Sequence, residues 1–370
     1  MIISISYGGE TMYSTERPSI ASLKAKKGQR NIRGYAMLLT IMLITALVSA
    51  CGNTTNLVGD TGKADSQPNV QTTALESTKD NEVGQPIKIK HGFGETEVPP
   101  HPKRIAVFGL EDIMLSLDVP MVYAYDFKGY YLDDALRKLN IPVSGSADFK
   151  PNLEAILQTD PDLIIVQQYS IDQKGYDELS KIAPTVAFAP DDWKSSIVEI
   201  GKALDVEGKA QAVIQAHEVK LKQVKEKMVQ AVGKDKTVAY IRPSDKDLQV
   251  FFPSFNLVYS ELGLLPDASI SDLQKKTEDD WGINLSLEDL PLITADYIFA
   301  IYGGSIDTED AFQKEAAASK EIEKLQLWKS IPAVKNNNVF KVSSRHWMSS
   351  GPIAESKEVD DVVNAITGKH

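Results

Sequence analysis

Two arginines hold chemically conspicuous positions in this chain. Arg242 ends the hydrophobic run Thr237–Arg242 just before Pro243, and Arg345 follows the run Val339–Val342. A guanidinium is a planar fork of donors that matches carboxylates and other oxyanions, so a pair of them at strand ends suits the gripping of an anion. Their plainer reading is salt bridging to the abundant acidic residues. Trp347 beside Arg345, Tyr240, Tyr302 after the run Tyr297–Ile301, and Phe108 and Tyr169 after two earlier runs could add flat apolar walls. A second pair is acidic. Asn152-Leu153-Glu154-Ala155-Ile156 is echoed by Ser286-Leu287-Glu288-Asp289-Leu290, and eight residues beyond each glutamate an aspartate, Asp162 or Asp296, opens a hydrophobic run. Helix-start chemistry, which favours polar caps and early acids, explains either glutamate alone. It explains less well their recurrence at matching places. The five histidines, His91, His101, His217, His346 and His370, are scattered singly, a poor pattern for a bare metal site. His217 falls in a long helical stretch and reads as an ordinary surface or packing residue.

The elements that must position these groups are legible as alternating strands and helices. Ile87–Lys90 alternates like a strand, Arg104–Gly109 is a buried strand followed by an amphipathic stretch from Glu111 to Leu117, and Pro120–Tyr125 is the next strand. Asp162–Val166 is a continuous apolar run, as expected of a parallel strand covered on both faces. A helix over Tyr176–Ile182 and a strand over Thr185–Phe188 follow. From Val206 to Val232 there is no proline, and apolar residues keep to helical spacing. Such a helix would run about 38 Å, enough to cross between two lobes. The pattern then restarts with strands Thr237–Arg242 and Leu248–Phe252, a strand Tyr297–Ile301, a helix from Ala311 to about Leu325, a strand Val339–Val342 and a terminal helix Lys357–Ile366. This predicts an α/β fold of two Rossmann-like lobes, an N-terminal one over 86–205 and a C-terminal one over 233–370, joined by a single long backbone helix over 206–232.

Composition narrows the function. The 370 residues carry 40 Lys/Arg against 51 Asp/Glu, a net charge of −11, which excludes a general nucleic-acid binder. Cys51 is the only cysteine, so no internal disulfide framework exists. A basic stretch from Lys24 to Arg33 precedes an uncharged apolar run, Ala36–Val48, too short for a comfortable membrane span but suited to the core of a signal peptide. Val48-Ser49-Ala50-Cys51 resembles the bacterial lipobox, in which the cysteine thiol is acylated and becomes the new N-terminus. Residues 1–50 are therefore expected to be a lipoprotein signal peptide, and the long basic stretch leaves open a start nearer Met12. Residues 51–85 are polar and read as a flexible tether. Without residues 1–50, which hold six of the Lys/Arg and two of the Asp/Glu, the net charge becomes −15. No G-x-S-x-G elbow, phosphate-binding loop or H-E-x-x-H pair points to an enzyme.

Pro102-Lys103-Arg104-Ile105, Pro151-Asn152-Leu153-Glu154, Pro161-Asp162-Leu163-Ile164-Ile165, Trp328 with Pro332-Ala333-Val334-Lys335-Asn336, and Trp347 with Gly351-Pro352 occur in order. Together with the lipobox, this set resembles the iron-complex substrate-binding lipoproteins of ABC importers, the ferric-siderophore-binding family, over about Ile87 to Ile366. The resemblance implies two rigid lobes holding a metal chelate in a shallow cleft, and a glutamate from each lobe, here Glu154 and Glu288, docking into arginine pockets on a permease. Its implied ligand is a ferric siderophore, anionic if Arg242 and Arg345 face it, with no resident cofactor and no catalysis. The expected partners are that chelate, the ABC permease subunits and, through Cys51, the cell membrane on its extracytoplasmic side, with no nucleic acid and the receptor itself a monomer. Haem is the closest rival ligand, because His346 and Met348 flank Trp347 and on an extended segment would face the same way. Cobalamin is a further one.

Overall fold

The structure, a computed structural model, describes residues 84–145, 149–255, 257–303 and 309–368. Cys51, the signal segment and most of the tether lie outside them. A hairpin of β1 (Ile87–His91) and β2 (Gly94–Val98) opens the described part. The apolar runs then build a parallel sheet from β3 (Ile105–Phe108), β4 (Leu163–Gln167) and β5 (Thr185–Phe188) in the order β3-β4-β5. The stretch 120–125 extends it beside β3, with the Val107 N–H donating to the Tyr123 carbonyl at 3.0 Å. All four residues of β3 and of β5 are buried, as continuous apolar strands require. Their two faces feed separate cores. Ile105 and Val107 meet Ile113, Leu163 and Ile165 on one side, and Ala106 and Phe108 meet Tyr123, Tyr125 and Val166 on the other. Helices α1 (Glu111–Ser116), α2 (Asp133–Lys138), α3 (Leu153–Gln158), α4 (Gln173–Leu179) and α5 (Trp193–Ala203) complete this lobe.

Helix α6 (Glu207–Val232) has 26 residues, about 39 Å at 1.5 Å per residue. Its first half places Ala210, Val213 and Ile214 in the N-terminal core, and its second half places Leu221, Val224 and Met228 in a core of the next lobe. There β6 (Thr237–Pro243), β7 (Asp247–Phe251), β8 (Leu265–Pro266), β9 (Gly282–Ser286), β10 (Tyr297–Tyr302) and β11 (Val339–Ser343) form one sheet in the order β11-β10-β6-β7-β9, with β8 beside the start of β6. β6, β10 and β11 are parallel, while β7 and β9 pair antiparallel. The intervening helices are α7 (Leu257–Ser260), α8 (Ala268–Gln274), α9 (Glu309–Ser319), α10 (Gln326–Ser330), α11 (Pro332–Lys335) and α12 (Ser344–Trp347), with a 3₁₀ turn at Leu287–Leu292.

The last helix, α13 (Pro352–Thr367), is a second strut. It runs beside α6 in the same direction, with Glu355 against His217 and Ser356 and Asp360 against Lys220. Its start is held by the N-terminal lobe. Gly351, at φ +138°, packs against Asp112, whose carboxylate accepts the N–H groups of Ile353 and Ala354 at 2.9 Å each. Asp112 thus caps a helix that has no side-chain cap of its own. His217 is accordingly buried at a junction, edge-on to Trp193, and Trp193 Nε1 donates to Glu355 at 2.8 Å.

The matched aspartates prove to be strand clamps. Asp162, just before β4, accepts the N–H groups of Lys103 and Arg104 ahead of β3. Asp296, just before β10, accepts from the N–H and hydroxyl of Thr237 at the start of β6 and from Lys236 Nζ. Each ties the first strand of its lobe's main sheet to a neighbour.

Candidate binding site between the lobes

The two lobes meet where the loop after Tyr125 faces the helix after β11. Arg345, in the second position of α12, is placed by Ser343, whose hydroxyl caps that helix. Its guanidinium lies over the ring of Phe312 at 4.1 Å and is ion-paired to Glu309 of α9. On the other side stands Gly129, at φ +85°, where a Cβ would run into Arg345 Nη1 and Glu309 Oε2. Glycine there lets the N-terminal backbone close on the guanidinium. The Nε of Arg345 is buried and has no hydrogen-bond partner among the described residues, so a donor edge of a mostly buried cation remains to be answered. The Arg345 contact holds the Glu309 carboxyl below the usual range.

Aromatic rings flank Gly129. Phe127 and Tyr130 stand 5.0 Å apart, and behind them Tyr125, Phe149 and Phe108 pack within 4.9–5.1 Å of one another. Phe127, Tyr130 and Phe149 are half-buried, leaving π-surface for a flat or apolar ligand. Sequence reasoning missed them, although Phe127-Lys128-Gly129-Tyr130-Tyr131 is an aromatic loop around a glycine directly after a strand. Arg345 also lines a hollow of about 360 Å³ with Tyr131, Lys357 and Asp360. A larger hollow, about 500 Å³, lies on the N-terminal lobe between Lys150, Leu153, Tyr169 and Lys174.

Of the expected site residues, the structure brings Arg345 to the interface of the lobes and puts several others elsewhere. Phe108 is 1% exposed and Tyr240 is fully buried, so neither is a free wall. Both faces of these strands are covered, so either parity is buried: Phe108 packs with Ala106, Tyr123 and Tyr125, and Tyr240 with Val238 under α13. Trp347, 1% exposed, stacks on Phe299 at 5.1 Å and donates to Asp361 at 2.9 Å. Tyr302 is buried as well, its hydroxyl donating to Glu323 at 2.6 Å. These four were expected in the cleft and belong instead to the cores. Tyr169 is exposed, in the hollow of the N-terminal lobe. Arg242 lies 3.5 Å from Glu315 of α9, a third exposed, so α9 supplies an acid to each of the two arginines. Glu154 and Glu288 are both exposed.

The geometry for a haem ligand pair also changes. His346 and Met348 were expected on an extended segment, but His346 lies within α12 and Met348 caps it. Two positions apart on a helix, they point away from one another. His346 Nε2 is 2.7 Å from Asp361, and the hydroxyl of Tyr240 points at the sulfur of Met348 at 3.7 Å. The Asp361 carboxyl is lowered although burial works against it, because His346 and Trp347 donate to it. Among the described residues no group of three or more His, Cys, Asp or Glu is arranged to hold a metal ion.

Two α/β lobes braced by long helices, with a cation and aromatic rings at their junction, have the architecture of a solute-binding protein. The chain belongs to the periplasmic binding protein family, whose profile matches residues 122–345, and is a substrate-binding protein and not an enzyme. It is similar to the iron(3+)-hydroxamate-binding protein FhuD of Bacillus subtilis (strain 168), 28% identical over 346 residues that cover 90% of this chain and 97% of that one. It is also 28% identical to the putative ABC transporter substrate-binding lipoprotein YhfQ of the same organism, over 84% of this chain and 91% of the relative. Among solved structures it resembles Staphylococcus aureus SirA complexed with staphyloferrin B, with a TM-score of 0.62 and 27% identity over 75% of this chain and 98% of that one.

Proposed function

We propose that this protein is the extracytoplasmic receptor of an ABC importer, that it captures a ferric siderophore between its lobes and passes it to the permease. The observation that carries this reading is Arg345: a largely buried guanidinium at the junction of the lobes, backed by Phe312 and packed against Gly129 of an aromatic loop, with an Nε–H that has no partner among the described residues. An anionic chelate of carboxylate or hydroxamate type offers oxygens for that edge. In exchanging with Glu309 it would trade one charge-assisted contact for another, while Phe127 and Tyr130 cover its apolar body. The iron stays in its chelator, so the protein needs no resident cofactor and no ligand set of its own. The relatives named for hydroxamate and for staphyloferrin B complexes support the class of ligand. Glu154 and Glu288, exposed on opposite lobes, serve the permease and not the ligand. Acylation of Cys51 tethers a monomeric body to the outer face of the cell membrane.

Titration of the purified protein with ferrichrome, ferric citrate, ferric staphyloferrin B, haem and cobalamin, followed by intrinsic fluorescence, tests the reading. Saturable quenching by at least one ferric chelate is expected. Quenching by haem or cobalamin alone, with none by the iron chelates, would overturn it.

A further inference from the structure

Helix α9 places an acid beside each of the two arginines found at strand ends. Glu309, in its first turn, pairs with Arg345, and Glu315, further along, lies 3.5 Å from Arg242. The Glu309 carboxylate is held from two sides. Its Oε2 accepts from Arg345 Nη2, and its Oε1 accepts from Gln313 Nε2, one turn on in α9, at 2.8 Å. The start of a helix favours a negative charge there. The helix is set against the end of β10 by Gly303, at φ +86°, where a Cβ would stand 2.9 Å from the Phe312 ring. Phe312 in turn covers a face of the Arg345 guanidinium.

A guanidinium gives a carboxylate its best contact along an edge, where two N–H groups point the same way. On the side-on edge of Arg345 these are the Nε–H and one Nη2–H. Glu309 takes Nη2 and leaves Nε, which is buried, without a partner among the described residues. A carboxylate of the protein is thus already docked on the cation, and it fills one of the two donors of that edge. The Arg345 side chain is 15% exposed and that of Glu309 32%, so the acid is the partner nearer to water and the one able to swing out. An incoming carboxylate that closes on both donors gains a contact that Glu309 lacks. A neutral chelate gains none, and moving the acid aside for it strands a mostly buried cation.

We propose that Glu309 is a built-in competitor for the ligand and sets the charge preference of the receptor. It rests on Arg345 until displaced, yields the cation to a chelate carrying a carboxylate or similar oxyanion, and keeps neutral chelates at a disadvantage. Glu315 serves Arg242 in the same way, through a longer and more exposed contact that contributes less. The proposal rests on the receptor reading above and extends it from a residue that attracts the ligand to one that opposes it. A competitor and a brace differ in sign: removing a competitor tightens the complex, whereas removing a brace for Arg345 weakens it.

Glu309→Gln keeps the length and polarity of the side chain and removes its charge, while Glu309→Ala removes all three. The parent and both variants, each with and without Arg345→Ala, are titrated with ferric citrate, ferric staphyloferrin B and ferrichrome by intrinsic fluorescence, and with iron-free citrate by calorimetry. Measured against ferrichrome, the affinity of Glu309→Gln for the two anionic chelates should rise about ten-fold over that of the parent, as expected for one partly exposed charge-assisted contact. Glu309→Ala should move in the same direction. The gain should vanish when Arg345 is replaced as well. An unchanged or reduced preference for the anionic chelates overturns the proposal, because Glu309 would then brace Arg345 and not compete for it. A gain that survives Arg345→Ala overturns it too, since diffuse repulsion would account for the effect. Failure of the parent and the variants to bind any ferric chelate would instead refute the receptor reading. Iron-free citrate then decides the competitor: binding about ten-fold tighter to Glu309→Gln than to the parent upholds it, and binding no tighter overturns it.

Discussion

Replacing Asp112 with alanine should loosen the strut that α13 forms between the lobes. The carboxylate is 4% exposed and accepts three hydrogen bonds, from the N–H groups of Ile353 and Ala354 and from the Tyr131 hydroxyl, each 2.9 Å. Losing a helix cap costs about 1 kcal/mol and leaving further buried donors unpaired about 1–3 kcal/mol, so Asp112→Ala should cost about 3 kcal/mol in all. A second signature comes from titration. Burial pushes the Asp112 carboxyl up from 3.8 to about 6, despite the three donors. The folded protein therefore holds a proton that the unfolded chain releases between about pH 4 and 6, and this group's contribution is full below that window and lost as pH rises through it. The part lost is on the order of 3 kcal/mol. Glu111, fully buried and pushed to about 7, acts in the same direction over a slightly higher window. Urea denaturation followed by far-UV circular dichroism at pH 4.5, 5.5, 6.5 and 7.5 should show stability falling toward neutrality, with the Asp112 share of that slope absent in Asp112→Asn, which cannot ionise. A loss below about 1 kcal/mol in Asp112→Ala, or an unchanged slope in Asp112→Asn, would refute the cap and the titration respectively.

Arg345→Ala should weaken anionic ferric chelates about ten- to a hundred-fold and leave a neutral chelate such as ferrichrome nearly unchanged, read by fluorescence titration. Equal loss for both classes would mean that the guanidinium shapes the lobe junction and does not grip charge. Trp347→Ala should cost about 3–5 kcal/mol of stability, because the ring is a core stack on Phe299 with Nε1 bonded to Asp361. A stable variant with lost chelate binding would return Trp347 to the cleft. Cys51→Ala should leave the membrane fraction, and immunoblots of fractionated cells showing it still membrane-bound would exclude lipid anchoring at that residue.

The parts of this fold readable from sequence were those in which one interaction dominates. Strand β4 was written as an unbroken apolar run because both its faces are covered, and α6 as a proline-free helical stripe because it serves two cores in turn. Strand β9 was not legible, since only Gly282 of its five residues is buried and its pairing is supplied by β7. Helix α5 escaped although Trp193, Ile197 and Ile200 follow helical spacing after the Asp192 cap. The terminal helix begins at Pro352 and not at Lys357 because its first turn is capped by Asp112, 240 positions earlier in the chain. The cleft suffered most from the same cause. An aromatic residue at a strand end reads alike whether it faces a ligand or a covering helix, and for Tyr240 and Trp347 the cover is α13. Arg345 stood out as a charge just after a strand end, whereas the Glu309 and Phe312 that hold it come from a different helix and are not signalled there.

The paired struts also bear on traffic at the transporter. A receptor whose halves swing together on capture advertises its cargo by its outline, so a permease can ignore empty copies. With α6 and α13 both spanning the lobes, and α13 pinned through Asp112, Glu355 and Lys220, the receptor reading expects empty and loaded molecules to offer nearly the same pair of glutamates at the same separation. Vacant receptors would then queue for the same berth as full ones. Import should therefore pass through an optimum as receptor abundance is raised at fixed, scarce chelate, and an uptake rate that only climbs with receptor number would show that the permease tells the two apart.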